Sequence, residues 1–197
     1  LPISGQRRIK GSPEFAYDTP VASMGGVTLF DELFVFSGKM DRFDFKLVGK
    51  KEMIVPYNAY AAVYQAKQDD LLKPNHLNPD LVRWELHRVW VVEATLKPGQ
   101  RHQAPRSRYY CDEDSWTCVL GDRWDAKGQL WKTLWTQTVV APDMPGIVVG
   151  STGFNDLLSG AAFVGQLYNA KSTQIGIVPK RPDSHFTPDA LSGESVR

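Results

Sequence analysis

Four histidines, a run of three acids, two cysteines and one arginine are the residues of this 197-residue chain whose types and spacing bear on chemistry. The histidines are His76, His87, His102 and His185. None sits in a His-Glu-x-x-His helix or a Cys/His ligand pair, the spacings that hold zinc. Glu85 and His87, two residues apart, could ligate a metal with a third group. A surface salt-bridge network would use the same two side chains. Asp112-Glu113-Asp114 could attract calcium, but it lacks the glycine and distal glutamate of an EF-hand loop, and acidic turns are common for backbone reasons alone. Gly150-Ser151-Thr152-Gly153 follows an apolar run, yet no basic residue or clear helix comes after it to take a phosphate. There is no Gly-x-Ser-x-Gly elbow, Walker loop or dinucleotide fingerprint. These residues name no catalytic group, no resident metal and no cofactor.

Arg88 is singled out by its neighbours. Leu81 to Lys97 splits at every second residue into two unlike faces, as a long strand does. One face carries Val82, Trp84, Leu86, Arg88, Trp90, Val92, Ala94 and Leu96, apolar except for Arg88. The other carries Arg83, Glu85, His87, Val89, Val91, Glu93 and Thr95. A guanidinium keeps its charge and costs several kcal/mol to bury alone, so Arg88 needs a partner. That partner is either an acid on a neighbouring strand or the ring of Trp84 or Trp90, or else it is the anionic or carbonyl head of a ligand in an apolar pocket.

Further strand signals fall at 46–57, 107–112, 115–121 and 128–140, with weaker ones at 147–151 and 174–179. Trp131 and Trp135 share a face of the 128–140 strand. The segment 27–36 reads as a short helix or packed loop, and 155–164 as a helix or a buried strand. Successive strands with short connections argue for a mainly β, antiparallel architecture. The organisation expected is a loop-rich lead-in over 1–45, an antiparallel sheet over 46–179 and an extended tail over 180–197. A hairpin centred on Asp114-Ser115 would set Cys111 opposite Cys118, with Cβ atoms about 4.5–5.5 Å apart. A disulfide in an oxidising compartment and two buried thiols both fit that placement.

Net charge is +1, from 23 basic and 22 acidic residues, so there is no global field for nucleic acid or an anionic membrane. The basic clusters at Gln6–Lys10 and Lys46–Lys51 read as solvated edges. No apolar run approaches the ~18 residues that span a bilayer, and the N-terminus carries no signal-peptide pattern.

Three stretches resemble one family. They are Asp41-Arg42-Phe43-Asp44-Phe45-Lys46-Leu47-Val48-Gly49-Lys50-Lys51-Glu52 with Val55-Pro56-Tyr57-Asn58, the line from His76 to Ala94, and Asp112-Glu113-Asp114-Ser115-Trp116. Together they resemble the bacterial envelope family catalogued as domain of unknown function 1329, associated with the fold of the lipoprotein-localisation factors LolA and LolB. The resemblance runs from about Gly5 to the C-terminus. Family members are about twice as long and begin with a signal peptide, so the chain is similar to their C-terminal half, the signal peptide being absent through processing or truncation. Cys111 and Cys118 stand where the family has aliphatic residues, which favours a local disulfide.

The resemblance implies a curved antiparallel half-barrel with a few helices or long loops on its concave side. It also implies a periplasmic or outer-membrane-associated location. The function expected is non-enzymatic binding or carriage of a hydrophobic small molecule, lipid or lipoprotein acyl chain. Trp84, Leu86, Arg88, Trp90 and Val92, with Trp131 and Trp135, would line the wall, and Arg88 would meet the ligand's polar end. The rival is an interaction module that docks on a resistance-nodulation-division transporter or an outer-membrane partner, with no ligand cavity.

Overall fold

The computed structural model describes the backbone of residues 2–3 and 6–9, and residues 16–167, 178–188 and 190 in full. Two compact units divide the chain. One comprises residues 1–15 and 175–197, the other residues 16–174. Within the first, β1 (Pro2–Ile3) and β2 (Gln6–Ile9) form a small hairpin, and Asp183–Phe186 makes a 3-10 turn.

The second unit is built on one seven-stranded antiparallel sheet. Its strands are β3 (Phe43–Pro56), β6 (Trp84–Leu96), β7 (Arg106–Asp112), β8 (Cys118–Trp124), β9 (Leu130–Ala141), β10 (Gly146–Asp156) and β11 (Ala162–Gly165). They lie in the order β11-β10-β9-β8-β7-β6-β3, a meander from β6 onward with β3 added at its open edge. Between β3 and β6 the chain makes a five-residue π-turn (Ala61–Gln65), the short helix α1 (Gln68–Leu71) and the small hairpin β4 (Leu72–Lys73) with β5 (His76–Leu77). The sheet is unclosed and helices are few, as the sequence led one to expect.

Strand positions follow the alternation signal closely, and the differences have local causes. The strand expected at 115–121 begins only at Cys118, because residues 113–117 are used by the turn. The weak signal at 147–151 belongs to a strand that runs on to Asp156, and the ambiguous 155–164 is the end of β10, a turn and β11. Residues 174–177 of the last signal lie outside the described residues, and Val178 and Pro179 are not strand. The segment 27–36 is a packed loop around a 3-10 turn at Phe30–Glu32.

Register divides the sheet into two faces, since directly paired residues point the same way. One face carries Met53, Val55, His87, Val89, Val91, Tyr110, Trp135, Gln137 and Val139. This face is concave. The chain leaving β3 returns to β9, where Ala59 N–H donates to the Thr138 carbonyl at 2.8 Å and Val140 N–H donates to Asn58 Oδ1 at 3.3 Å. Three strands separate β3 from β9 in the sheet order, so these bonds require the sheet to roll inward. Residues 57–82 fill the hollow, with Ala59, Ala62, Val63, Leu71 and Val82 packed against Val139. Gly150 makes that packing possible, because a Cβ there would meet Val63 Cγ2 at 2.5 Å.

The other, outer face is covered over part of its area by residues 16–40. Val35 and Phe36 pack on Phe43, Ala94, Tyr109, Leu134 and Phe154. Gly121 admits Val35, whose Cγ1 lies 2.9 Å from where a Cβ would stand. The even positions of β6 from Leu86 to Leu96, part of the face expected to form the cavity wall, lie on this outer side, whereas Trp84 at the start of the strand borders the inner cavity. Which face becomes concave depends on where the connections cross, and the 57–82 connection crosses the mixed face.

Candidate functional site

The uncovered part of the outer face is where the expected wall residues gather. Pairing sets Leu86 beside Ile54, Arg88 beside Glu52, Trp90 beside Lys50 and Val92 beside Leu47. Leu47 (59% exposed), Ile54 (55%), Leu86 (66%) and Trp116 (74%) stand largely in water, far more than a folded sheet normally leaves large apolar groups. Leu47, Trp90, Val92, Cys111 and Trp116 line an open apolar groove of about 340 Å³.

Trp116 caps the groove from the turn between β7 and β8. Its ring is stacked on Trp90, with centroids 6.4 Å apart and planes at 21°. Its backbone is left-handed, at φ 57°, which costs a non-glycine residue about 1–2 kcal/mol. Asp112 holds the turn: its Oδ2 accepts from Ser115 N–H at 2.8 Å and from the Ser115 hydroxyl at 2.7 Å, while Trp116 N–H donates to the Asp112 carbonyl at 2.9 Å. Cys111 and Cys118 are direct partners across β7 and β8 beneath it, their sulfurs at bonding distance.

Arg88 has its partner in this turn. Arg88 Nε donates to Glu113 Oε1 at 2.6 Å, and Lys50 Nζ meets Glu113 Oε2 at 2.7 Å. Hydrogen bonds from Arg88 and then Lys50 hold the Glu113 carboxyl down to about 2. Lys50 Nζ also lies 4.2 Å over the Trp90 ring. The groove is thus flanked by a cation–carboxylate–cation bridge, and Arg88 is more than half exposed in solvent rather than buried.

The remaining expected wall residues are elsewhere. Trp135 points to the inner face, where it and Trp84 line a cavity. Trp131, at the start of β9, donates Nε1–H to Asp156 Oδ2 at 3.1 Å and borders a separate depression with Val27 and Lys132. Trp84, Leu86, Arg88, Trp90, Val92, Trp131 and Trp135 therefore form no single wall.

His87 lies on the inner face beneath the same turn. Its Nδ1 is 2.8 Å from Asp112 Oδ1, its Nε2 is 3.4 Å from Glu85 Oε2, and its ring lies 4.0 Å from that of Tyr57. Burial pushes the imidazole pKa down, but hydrogen bonds to Asp112 and Glu85 outweigh it and raise the value. His87, Asp112 and Asp114 bring ligand atoms within 4.8 Å of one another, a set able to hold a divalent cation. Here Asp112 is already engaged by His87 and Ser115. Ser115 donates to the carboxylate and not to the imidazole, so the cluster lacks the order of a nucleophile–base–acid triad.

Sequence reasoning missed the buried ionic cluster under the lead-in. Arg123 Nη1 donates to Asp31 Oδ1 at 3.1 Å, His102 Nε2 is 2.8 Å from Asp31 Oδ2, and Lys132 Nζ donates to Glu32 Oε1 at 2.9 Å. Burial would push the Asp31 carboxyl up, but the Arg123 charge and the His102 contact overcome it and bring it down to about 2. The signal was present in the alternation, where Arg123 and Lys132 occupy core-facing strand positions.

An open, inward-rolled antiparallel sheet with an apolar groove on its outer face is the class of β-sheet architecture the chain shows. Within it, the chain belongs to the family described as "Protein of unknown function (DUF1329)", whose profile matches residues 3–192. It is 36% identical over 195 residues to the uncharacterized protein PA3922 of Pseudomonas aeruginosa, covering 98% of this chain and 43% of that protein. The chain thus spans less than half the length of that relative. Two solved structures are similar in part. One is described as an outer-membrane lipoprotein-sorting protein domain, from Vibrio parahaemolyticus (TM-score 0.48, 11% identity, 91% of this chain and 59% of that one). The other is a DUF1329 protein from Desulfovibrio piger (TM-score 0.46, 18% identity, 97% and 62%). Among the described residues, no helix is long and apolar enough to cross a membrane.

Proposed function

We propose that this chain is a non-enzymatic binder of a hydrophobic ligand, a lipid or a lipoprotein acyl chain, in the Gram-negative periplasm or at its outer membrane. The observation that carries the reading is the uncovered groove of Leu47, Trp90, Val92, Cys111 and Trp116. An open trough suits an extended chain laid across strands better than a compact molecule that must be enclosed. Covering groove side chains such as Leu47 or Val92 fully is worth about 1.5–3 kcal/mol each, enough in sum for useful affinity. Lys50 and Arg88 flank the trough and favour an anionic head, although Glu113 already shares both cations.

The rival reading, docking on a transporter or outer-membrane partner, draws on the same exposed side chains and on the edge of β3, which pairs with no further strand among the described residues. That edge carries Lys46, Lys50 and Lys51, charges that discourage strand addition. The ligand reading is preferred for that reason. Native mass spectrometry and organic extraction of protein purified from its host envelope test it. A co-purifying lipid, depleted in Trp90→Ala, is expected. A lipid-free protein that binds no acyl probe but co-purifies with an envelope partner would replace the first reading with the second.

A further inference from the structure

The inner face holds a second, separate cavity. It has a volume of about 130 Å³ and lies between the sheet and the covering residues 57–82, lined by Pro56, Leu77, Val82, Trp84, Trp135 and Gln137. An apolar cavity of about 150 Å³ accepts a molecule the size of benzene, so this one suits a ring or a short alkyl segment rather than a whole lipid.

Gln137 is the unusual member. It sits mid-strand on β9, next to Trp135 and Val139 in the inner-face series and paired with Ser151 on β10. It is 2% exposed, and its Oε1 has no hydrogen-bond partner. Leaving a buried polar atom unpaired costs free energy that a strand position could avoid with an apolar residue. Two other polar groups bordering the cavity are committed. Asn155 Nδ2 donates to the Asn75 carbonyl at 2.9 Å, and His76 Nδ1 lies 2.7 Å from the Leu77 carbonyl. The lining contains no lysine, arginine, aspartate or glutamate.

We infer that this cavity binds the uncharged, hydrogen-bonding end of an amphiphile, such as a hydroxyl or amide on a short alkyl segment, and that Gln137 is the group that recognises it. A hydroxyl can donate to the carboxamide oxygen or accept from its nitrogen, so it satisfies the amide in either orientation. A carboxylate or phosphate would give up water to a lining with no lysine or arginine and is disfavoured by desolvation. The inference does not rest on the outer groove, which lies on the opposite face.

Isothermal titration of the full chain at pH 7 with 1-hexanol, hexanoate and benzene tests it, repeated on Gln137→Leu and Gln137→Met. Hexanol is expected to bind at least tenfold more tightly than hexanoate. Both substitutions should weaken hexanol five- to tenfold while benzene binds as well or better. If Gln137→Leu fails to fold, Gln137→Met carries the comparison, since methionine keeps the length and flexibility of glutamine. Val92→Arg, which fills the outer groove, should leave hexanol affinity unchanged. Hexanoate binding as tightly as hexanol, hexanol affinity unaltered in both Gln137 variants, loss of hexanol in Val92→Arg, or no binding of any probe would each overturn the inference.

Discussion

The outer face of the sheet has two halves that invert the usual placement of charge and grease. Under residues 16–40 it buries Asp31, Glu32, Arg123, His102 and Lys132, groups that folded proteins mostly leave in water. Beyond that cover it exposes Leu47, Ile54, Leu86 and Trp116, which proteins mostly bury. The lesson is that burial here follows the cover and not the residue type. Where a segment of the chain lies on the sheet, charges are paired and enclosed. Where no described segment does, apolar side chains stand in solvent.

The covered half is the easier to break. Asp31→Ala removes the acid that pairs Arg123 and His102, leaving a buried guanidinium with its Nε also unpaired. It is expected to cost about 3–5 kcal/mol in urea unfolding and to expose residues 16–40 to protease. A loss below 1 kcal/mol would mean that the cover is held by apolar packing alone. In the bare half, the Cys111–Cys118 pair closes a short turn, for which a disulfide is worth about 2–3 kcal/mol. Non-reducing peptide mapping should recover the two cysteines as one linked peptide. Two free thiols would remove the bond from the account.

Titration separates the halves further. The folded pKa of Asp31, about 2, lies below the ordinary 3.8. Its contribution is therefore complete above that ordinary value and is lost as pH falls through 2, a swing of about 2 kcal/mol. His87, beneath the bare half, is shifted the other way. Its folded pKa is raised, so its contribution is complete below pH 6.5 and disappears as pH rises through the folded value. Denaturant midpoints measured across pH should show the acid loss disappear in Asp31→Asn and the loss on the alkaline side disappear in His87→Gln. The smallest effect belongs to the groove's edge: Arg88→Ala breaks an exposed ion pair and should leave the denaturant midpoint almost unchanged. A larger loss would make the Arg88–Glu113 bridge a structural element and not a flank of the groove.

The strands were legible because alternation is a local signal. Leu81 to Lys97 declared both of its faces, and the observed β6 keeps that division. The side to which the sheet curves was not legible. It is decided by the 57–82 connection and by Gly150, whose missing Cβ makes room for Val63. The partner of Arg88 was half legible: some partner was required, and an acid was one of those expected, but it comes from the turn at Glu113 rather than from the neighbouring strand. Asp31 and Glu32 read as a polar break between apolar pairs. Their burial depends on Arg123 and Lys132, 92 and 100 residues further along; alternation sets each of those at a core-facing position but does not tell which acid it pairs with. The turn could be placed from Asp114-Ser115, but that Trp116 folds back over Trp90 depends on its left-handed backbone.

The central claim is that the bare half of the outer face is a hydrophobic binding surface. It is tested most directly by titrating a fluorescent acyl-chain probe into the wild-type chain and into Val92→Arg, which places a charge on the groove floor. Saturable binding by the wild type, weakened tenfold or more in Val92→Arg at unchanged thermal stability, is the expected result. Equal binding by both proteins, or none by either, would contradict it.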